Sequence, residues 1–212
     1  KNNFFKSKKK LEKKSLIFIS QFRKHFDLNK KTLQFKNHNY KDKAIKNIYL
    51  YCKKNNLKFI VLGCAKENSK IEKNYFNNLL GRNNFIFLER KTGLSSYKYS
   101  IKYKYFITLA SSLGYELLSS GKRVAFLPLH YQSIKNNKKR EFKESFYSNK
   151  KPSGPIWTNT NTEKEISRVI NYILTTKEKT WKNMLKLLID PLVIYDHENK
   201  QTKKLFKKLQ IN

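Results

Sequence analysis

The sequence predicts an α/β fold: a three-layer sandwich with helices on both faces of a parallel sheet. Three observations predict it. Short apolar runs alternate along the chain with longer segments of helical spacing, the pattern of successive βαβ units. The runs at 15–20, 57–62 and 84–88 are largely continuous in their apolar residues, as strands buried on both faces are. Residues 106–127 hold a whole unit in order: strand, tight turn, short helix, glycine stop and strand.

Each element has its own justification. Residues 1–14 are basic and read as a linker or a frayed start. Residues 15–20 form the first strand, with Gln21, Phe22 and Arg23 at its carboxyl end, where open sheets bind ligands. The guanidinium of Arg23 suits a phosphate or a sugar carboxylate; the alternative is an exposed loop arginine. Residues 27–39 read as polar loop, and 40–55 as a helix with Ala44, Ile48 and Tyr51 inward. The second strand, 57–62, ends at Gly63. A helix over 69–80 opens with Ser69 and Glu72 at capping-box spacing and stops at Gly81. The third strand, 84–88, delivers Glu89 either to a cleft or to a surface pair with Arg90.

The short helix 95–100 follows, with Ser96 read as a cap first and a ligand contact second. His130 stands after the strand that ends at Leu127, as a ligand contact or a bystander. Residues 132–151 are long and polar, a candidate lid. A turn cluster at 152–155 precedes Trp157, which either covers a nucleobase or belongs to the core. Thr160 or Thr162 caps a helix over 163–175 that aligns Ile166, Val169, Ile170 and Ile173. A helix over 178–188 turns Trp181, Leu185 and Leu188 inward, and Asp190-Pro191 ends it. The main domain is thus 15–176, with 177–212 a helical extension whose basic amphipathic segment at 203–209 suits anionic lipid or a second domain.

The turn at 110–114 carries the chemical interest. A helix start exposes unpaired N–H groups and the positive end of a dipole, so it suits an anion. Ser111 and Ser112 add hydroxyls there, Leu113 opens the first turn, and Gly114 permits close approach of a ligand or of backbone. Glu116, one turn in, can accept from sugar hydroxyls; the plain alternative is a capped helix with a solvated acid.

Composition narrows the function. Of 212 residues, Lys and Arg number 47 and Asp and Glu 15, a net charge of +32. Phosphate neutralisation on nucleic acid, an anionic membrane surface and A/T-rich codon bias each account for such a charge. The lysines are scattered rather than gathered in one stripe, and the aromatics fall inside predicted strands, which disfavours specific nucleic-acid recognition. Two cysteines, Cys52 and Cys64, fit a reduced, cytoplasmic setting. The four histidines form no zinc pattern, and no Asp-x-Asp pair is present, so no metal cofactor is expected. The chain opens on Lys1, and its one methionine is Met184, so a domain of a longer protein is expected.

The segment Ser111-Ser112-Leu113-Gly114-Tyr115-Glu116, followed by Gly121-Lys122-Arg123-Val124, resembles bacterial glycosyltransferases of surface-carbohydrate biosynthesis. Gly154-Pro155-Ile156-Trp157-Thr158-Asn159 with Glu163 and Glu165, and Ser20-Gln21-Phe22-Arg23, look similar too. The resemblance runs over residues 15–188 and is to the donor-binding half of GT-B enzymes, including Kdo and sialic-acid transferases that use CMP-activated sugars. It implies a Rossmann-like domain and a nucleotide-sugar donor held by Arg23, Ser111, Ser112, Leu113, Gly114 and Glu116. It also implies a polysaccharide or glycolipid acceptor, and an N-terminal domain that supplies the catalytic base. A place on the inner face of the cell membrane follows from it.

Overall fold

A computed structural model describes residues 12–22, 33–64, 66–128 and 153–188, with isolated positions at 200, 203, 204 and 208. Strands β1 (Glu12–Ile19), β2 (Lys58–Leu62), β3 (Ile86–Leu88), β4 (Tyr103–Thr108), β5 (Arg123–Phe126), β6 (Ser153–Gly154) and β7 (Trp157–Thr158) form one sheet. Its order is β3-β2-β1-β4-β5-β7-β6. Every pair is parallel except β6 with β7. The helices are α1 (Leu33–Lys54), α2 (Ser69–Leu80), α3 (Ser95–Ser100), α4 (Ser112–Ser119), α5 (Glu163–Thr175) and α6 (Glu178–Leu188).

The chain steps outward from β1 to β2 to β3, returns to β4 beside β1, and steps outward the other way. Right-handed crossovers then put α1 and α2 on one face and α3 and α4 on the other. Helix α5 joins the first face, where it packs on α1, and Tyr51 donates to Asn171 at 3.1 Å. The result is the doubly wound, Rossmann-like sandwich expected from the alternation of elements.

Residues 16–19 of β1 and 59–62 of β2 are buried without a break, because helices cover both of their faces. Phe18 packs edge-on against Phe76 of α2, with ring centroids 6.1 Å apart. Ile166, Val169, Ile170 and Ile173 of α5 are all fully buried, as their spacing requires, and Thr162 caps that helix by accepting from the Glu165 N–H at 3.4 Å. Trp181 and Met184 carry α6 into the same core. Buried Arg123 fastens it there, donating to the Ile173 carbonyl at 3.0 Å and to Glu178 at 3.1 Å, with its guanidinium 5.3 Å from the Trp181 ring centre.

Several expectations need correction. Helix α1 starts at Leu33, so residues 33–39 are helix and not loop. That stretch is polar, but it has no Gly or Pro to stop a helix. Ser69 and Glu72 form no capping box. Asn68 is the N-cap, and buried Glu72 turns inward to accept the Cys64 N–H with both oxygens, at 2.9 and 3.2 Å. The third strand loses Asn84 and Phe85, and the Asn84 side chain instead donates to the Leu80 carbonyl at the end of α2, at 2.6 Å. Of the turn cluster at 152–155, residues 153–155 lie in the β6–β7 hairpin, where Arg168 donates to the Gly154 and Trp157 carbonyls at 2.9 and 3.3 Å. The expected lid at 132–151 lies outside the described residues.

Two stability measurements follow. A Cβ at Gly114 would stand 2.8 Å from Thr108 Cγ2 and 3.1 Å from the Phe126 ring, so Gly114→Ala forces α4 off the sheet. It should cost about 1–3 kcal/mol in urea unfolding; an unchanged midpoint would contradict this packing. Burial holds the Lys122 ammonium down to about 8 although its Nζ donates to the Tyr103 carbonyl at 2.9 Å. The unfolded chain keeps its proton to higher pH, so the cost of burying the charge is fully present below pH 8 and is relieved as pH rises towards 10. Stability of the wild type should therefore rise relative to Lys122→Met over that window, measured by denaturation at fixed ionic strength.

Candidate functional site

In a doubly wound sheet the strand order reverses at one place, and a crevice opens there outside the carboxyl ends of the two diverging strands. Here that place is between β1 and β4. Residues 20–22 leave β1 and residues 109–111 leave β4, so two of the segments picked out by sequence meet at the crevice. The Ala110 N–H donates to Gln21 Oε1 at 2.8 Å, which joins the two loops directly. Thr108 ends β4 and ties the same spot from below. Its hydroxyl donates to the Ile19 carbonyl at 3.4 Å and accepts the Ser111 N–H at 3.2 Å. Ser20 holds the β1 loop by accepting the Phe22 N–H at 3.2 Å.

Helix α4 starts at this crevice. Ser111 is its N-cap, in extended conformation, but its side chain makes no capping hydrogen bond. Ser112 is exposed and Leu113 half-buried. Their N–H groups are the first two of the helix, where no intrahelical acceptor exists. Gly114 plays a different part from the one expected. It is buried under Thr108 and Phe126, and its N–H donates to the Ser111 carbonyl at 2.9 Å. Its missing side chain lets the helix sit on the sheet, and its N–H is not offered to a ligand.

Glu116 is half-buried, and its Oε2 accepts from the Tyr97 hydroxyl of α3 at 2.8 Å. Burial first, then this bond, raises the Tyr97 hydroxyl to about 12, so it stays protonated and donates. No hydrogen bond from the described residues reaches the other carboxylate oxygen, Oε1. The α3–α4 contact therefore fixes Glu116 while leaving it an acceptor. Tyr97 was not among the residues singled out for the site; an aromatic hydroxyl carries no sequence signal until the two helices are placed side by side.

The remaining candidates separate. Glu89 is exposed at the end of β3. Ser96 is buried and caps nothing: the N-cap of α3 is Leu94, without a side-chain bond, and the Ser95 hydroxyl accepts the Thr92 N–H of the preceding turn at 2.8 Å. Trp157 is 3% exposed and lies against Gly154, where a Cβ would meet its ring at 2.0 Å. It therefore belongs to the core and does not cover a base. Arg23 and His130 lie outside the described residues. Arg90, next to Glu89, donates to the Cys64 carbonyl at 2.7 Å and so links the ends of β2 and β3. A cavity of about 430 Å³ lies at the opposite edge of the sheet, among Tyr49, Asn56, Phe59 and Asn84, away from all of these residues. Among the described residues, no group of three His, Cys, Asp or Glu is placed to hold a metal ion, and no helix is long and apolar enough to cross a membrane.

The reversal of strand order between β1 and β4, in a mostly parallel sheet covered by helices, defines an α/β domain of the Rossmann-like class. A family model described as "putative O-antigen biosynthesis protein" matches residues 1–210, and the chain belongs to that family. No curated protein and no solved structure matched it.

The link across the crevice can be tested alone. Gln21→Ala leaves the Ala110 N–H without its acceptor, and should cost about 1 kcal/mol. Amide exchange at Ala110 should quicken while exchange in β1 and β4 stays slow. Unchanged exchange at Ala110 would show that the two loops are not coupled through Gln21.

Proposed function

We propose that the protein binds a nucleotide-activated sugar at the β1–β4 crevice and serves as the donor-binding domain of a glycosyltransferase in O-antigen assembly. The observation that supports this most is the meeting of the Gln21 loop with the start of α4 at the strand-order reversal, through the Ala110–Gln21 hydrogen bond. The N–H groups of Ser112 and Leu113, the hydroxyls of Ser111 and Ser112 and the α4 dipole are suited to the donor phosphates. Glu116 Oε1 is assigned to the ribose hydroxyls. Arg23, two residues beyond Gln21, is assigned to the charge on the departing nucleotide.

Sugar transfer builds negative charge on the leaving nucleotide phosphate as the glycosidic bond breaks. Fixed donors aimed at that phosphate favour the transition state electrostatically. In this reading no metal is needed, the acceptor is a polysaccharide or glycolipid, and the residue that activates it comes from another domain.

Thermal shift with CMP, UDP and GDP, beside a short DNA duplex at two salt concentrations, tests the proposal. It requires saturable stabilisation by a nucleotide, selective for the base and persisting at the higher salt. Duplex binding alone, lost with salt, would contradict it and favour bulk charge as the cause. Glu116→Ala should weaken nucleotide binding about tenfold or more, whereas Tyr97→Phe, which removes the same interhelical bond but keeps the carboxylate, should weaken it less. Equal losses would mean that the α3–α4 contact matters and the Glu116 carboxylate does not.

A further inference from the structure

Helix α1 buries one side and leaves the other bare. Ala44, Ile45, Ile48 and Cys52 lie in the core. On the outer side, Lys43, Lys46, Leu50, Lys53 and Lys54 are all exposed. At 3.6 residues per turn these five fall within an arc of about 100° and along about 17 Å of helix. Leu50 lies inside that arc with lysines on both sides along the axis, and it is 51% exposed. The one acid of the helix, Asp42, accepts from the Tyr75 hydroxyl of α2, and its single negative charge leaves the four lysines in excess. The same combination recurs on α6, where Leu187 is 75% exposed beside exposed Lys186. These are the two most exposed leucines among the described residues.

We infer that the outer face of α1 docks on an anionic lipid bilayer. The lysines supply attraction to acidic headgroups, and Leu50 supplies an aliphatic side chain that enters the boundary between headgroups and acyl chains. A nucleic acid would reward the lysines but offers nothing to a projecting leucine, which is why the bilayer is the better partner. The inference rests on the helix surface and is independent of the crevice. It turns a charge spread over the whole molecule into an orientation, with one helical layer towards the membrane.

Vesicle co-sedimentation tests it, with phosphatidylcholine alone and with about one third phosphatidylglycerol. The protein should bind the acidic vesicles and not the neutral ones. The triple variant K46Q/K53Q/K54Q should bind about tenfold more weakly, while K91Q/K98Q/K102Q, which removes equal charge from the region of α3, should stay within about twofold of wild type. Leu50→Gln should weaken vesicle binding several-fold at unchanged charge, and leave binding to duplex DNA unaltered. Equal losses from the two triple variants would overturn the inference, since only total charge would then matter. So would a Leu50→Gln protein that binds vesicles like wild type. Circular dichroism of each variant confirms that these exposed substitutions leave α1 folded.

Discussion

The parallel pairing of β1 with β4 is the constraint on which the rest of the structure depends. Ile17 lies beside Phe106, and Ile19 beside Thr108, at the centre of the sheet. Strands that carry apolar side chains on both faces cannot face water on either, so both faces must be covered by helices. Right-handed crossovers leave one way to cover them when the chain spreads outwards from this pair in both directions. The same pairing marks the reversal of strand order, the place where doubly wound sheets bind their ligands, and brings the loops that leave β1 and β4 together there. The fold and the candidate site therefore have a single origin.

At that crevice, polar groups serve geometry before they serve any ligand. Thr108, Gln21 and Ser20 spend their hydrogen bonds on holding two loops in register. Gly114 is spent on bringing α4 close to the sheet. What remains uncommitted among the described residues is small: the first amides of α4, the serine hydroxyls beside them and one oxygen of Glu116. Such a set is suited to the proposed ligand, an anion with hydroxyl groups nearby. That fits a family concerned with O-antigen biosynthesis, where sugar chains are assembled.

Much of this was legible in the sequence, for physical reasons that also mark where legibility ends. Continuous apolar runs flanked by Gly or Ser fixed β1, β2, β4 and β5 to within three residues, and the period of Ile166, Val169, Ile170 and Ile173 fixed both ends of α5. Position in the chain also put Gln21 and Ser111 at strand ends. What failed depended on tertiary placement. Glu72 had the spacing of a cap, but its carboxylate turns inward and accepts the Cys64 N–H instead. Gly114 read as close approach either of a ligand or of backbone, and only the packing of α4 on Thr108 and Phe126 shows what the missing side chain admits. Residues 33–39 read as loop because the stretch is polar, yet it holds no helix breaker and α1 runs through it. The two-residue strands β6 and β7 are too short to carry a period at all.

The central claim is that a nucleotide's phosphate rests against the start of α4, between the loops that leave β1 and β4. An NMR titration of the labelled protein with CMP, UDP and GDP addresses it most directly. The account predicts saturable shifts in the backbone amides of Ala110, Ser111, Ser112 and Leu113 and in the Gln21 side-chain amide, with β3 and α6 undisturbed. Shifts confined to exposed lysine-bearing surfaces, or to the cavity near Tyr49 and Asn84, with the α4 amides unmoved, would contradict it.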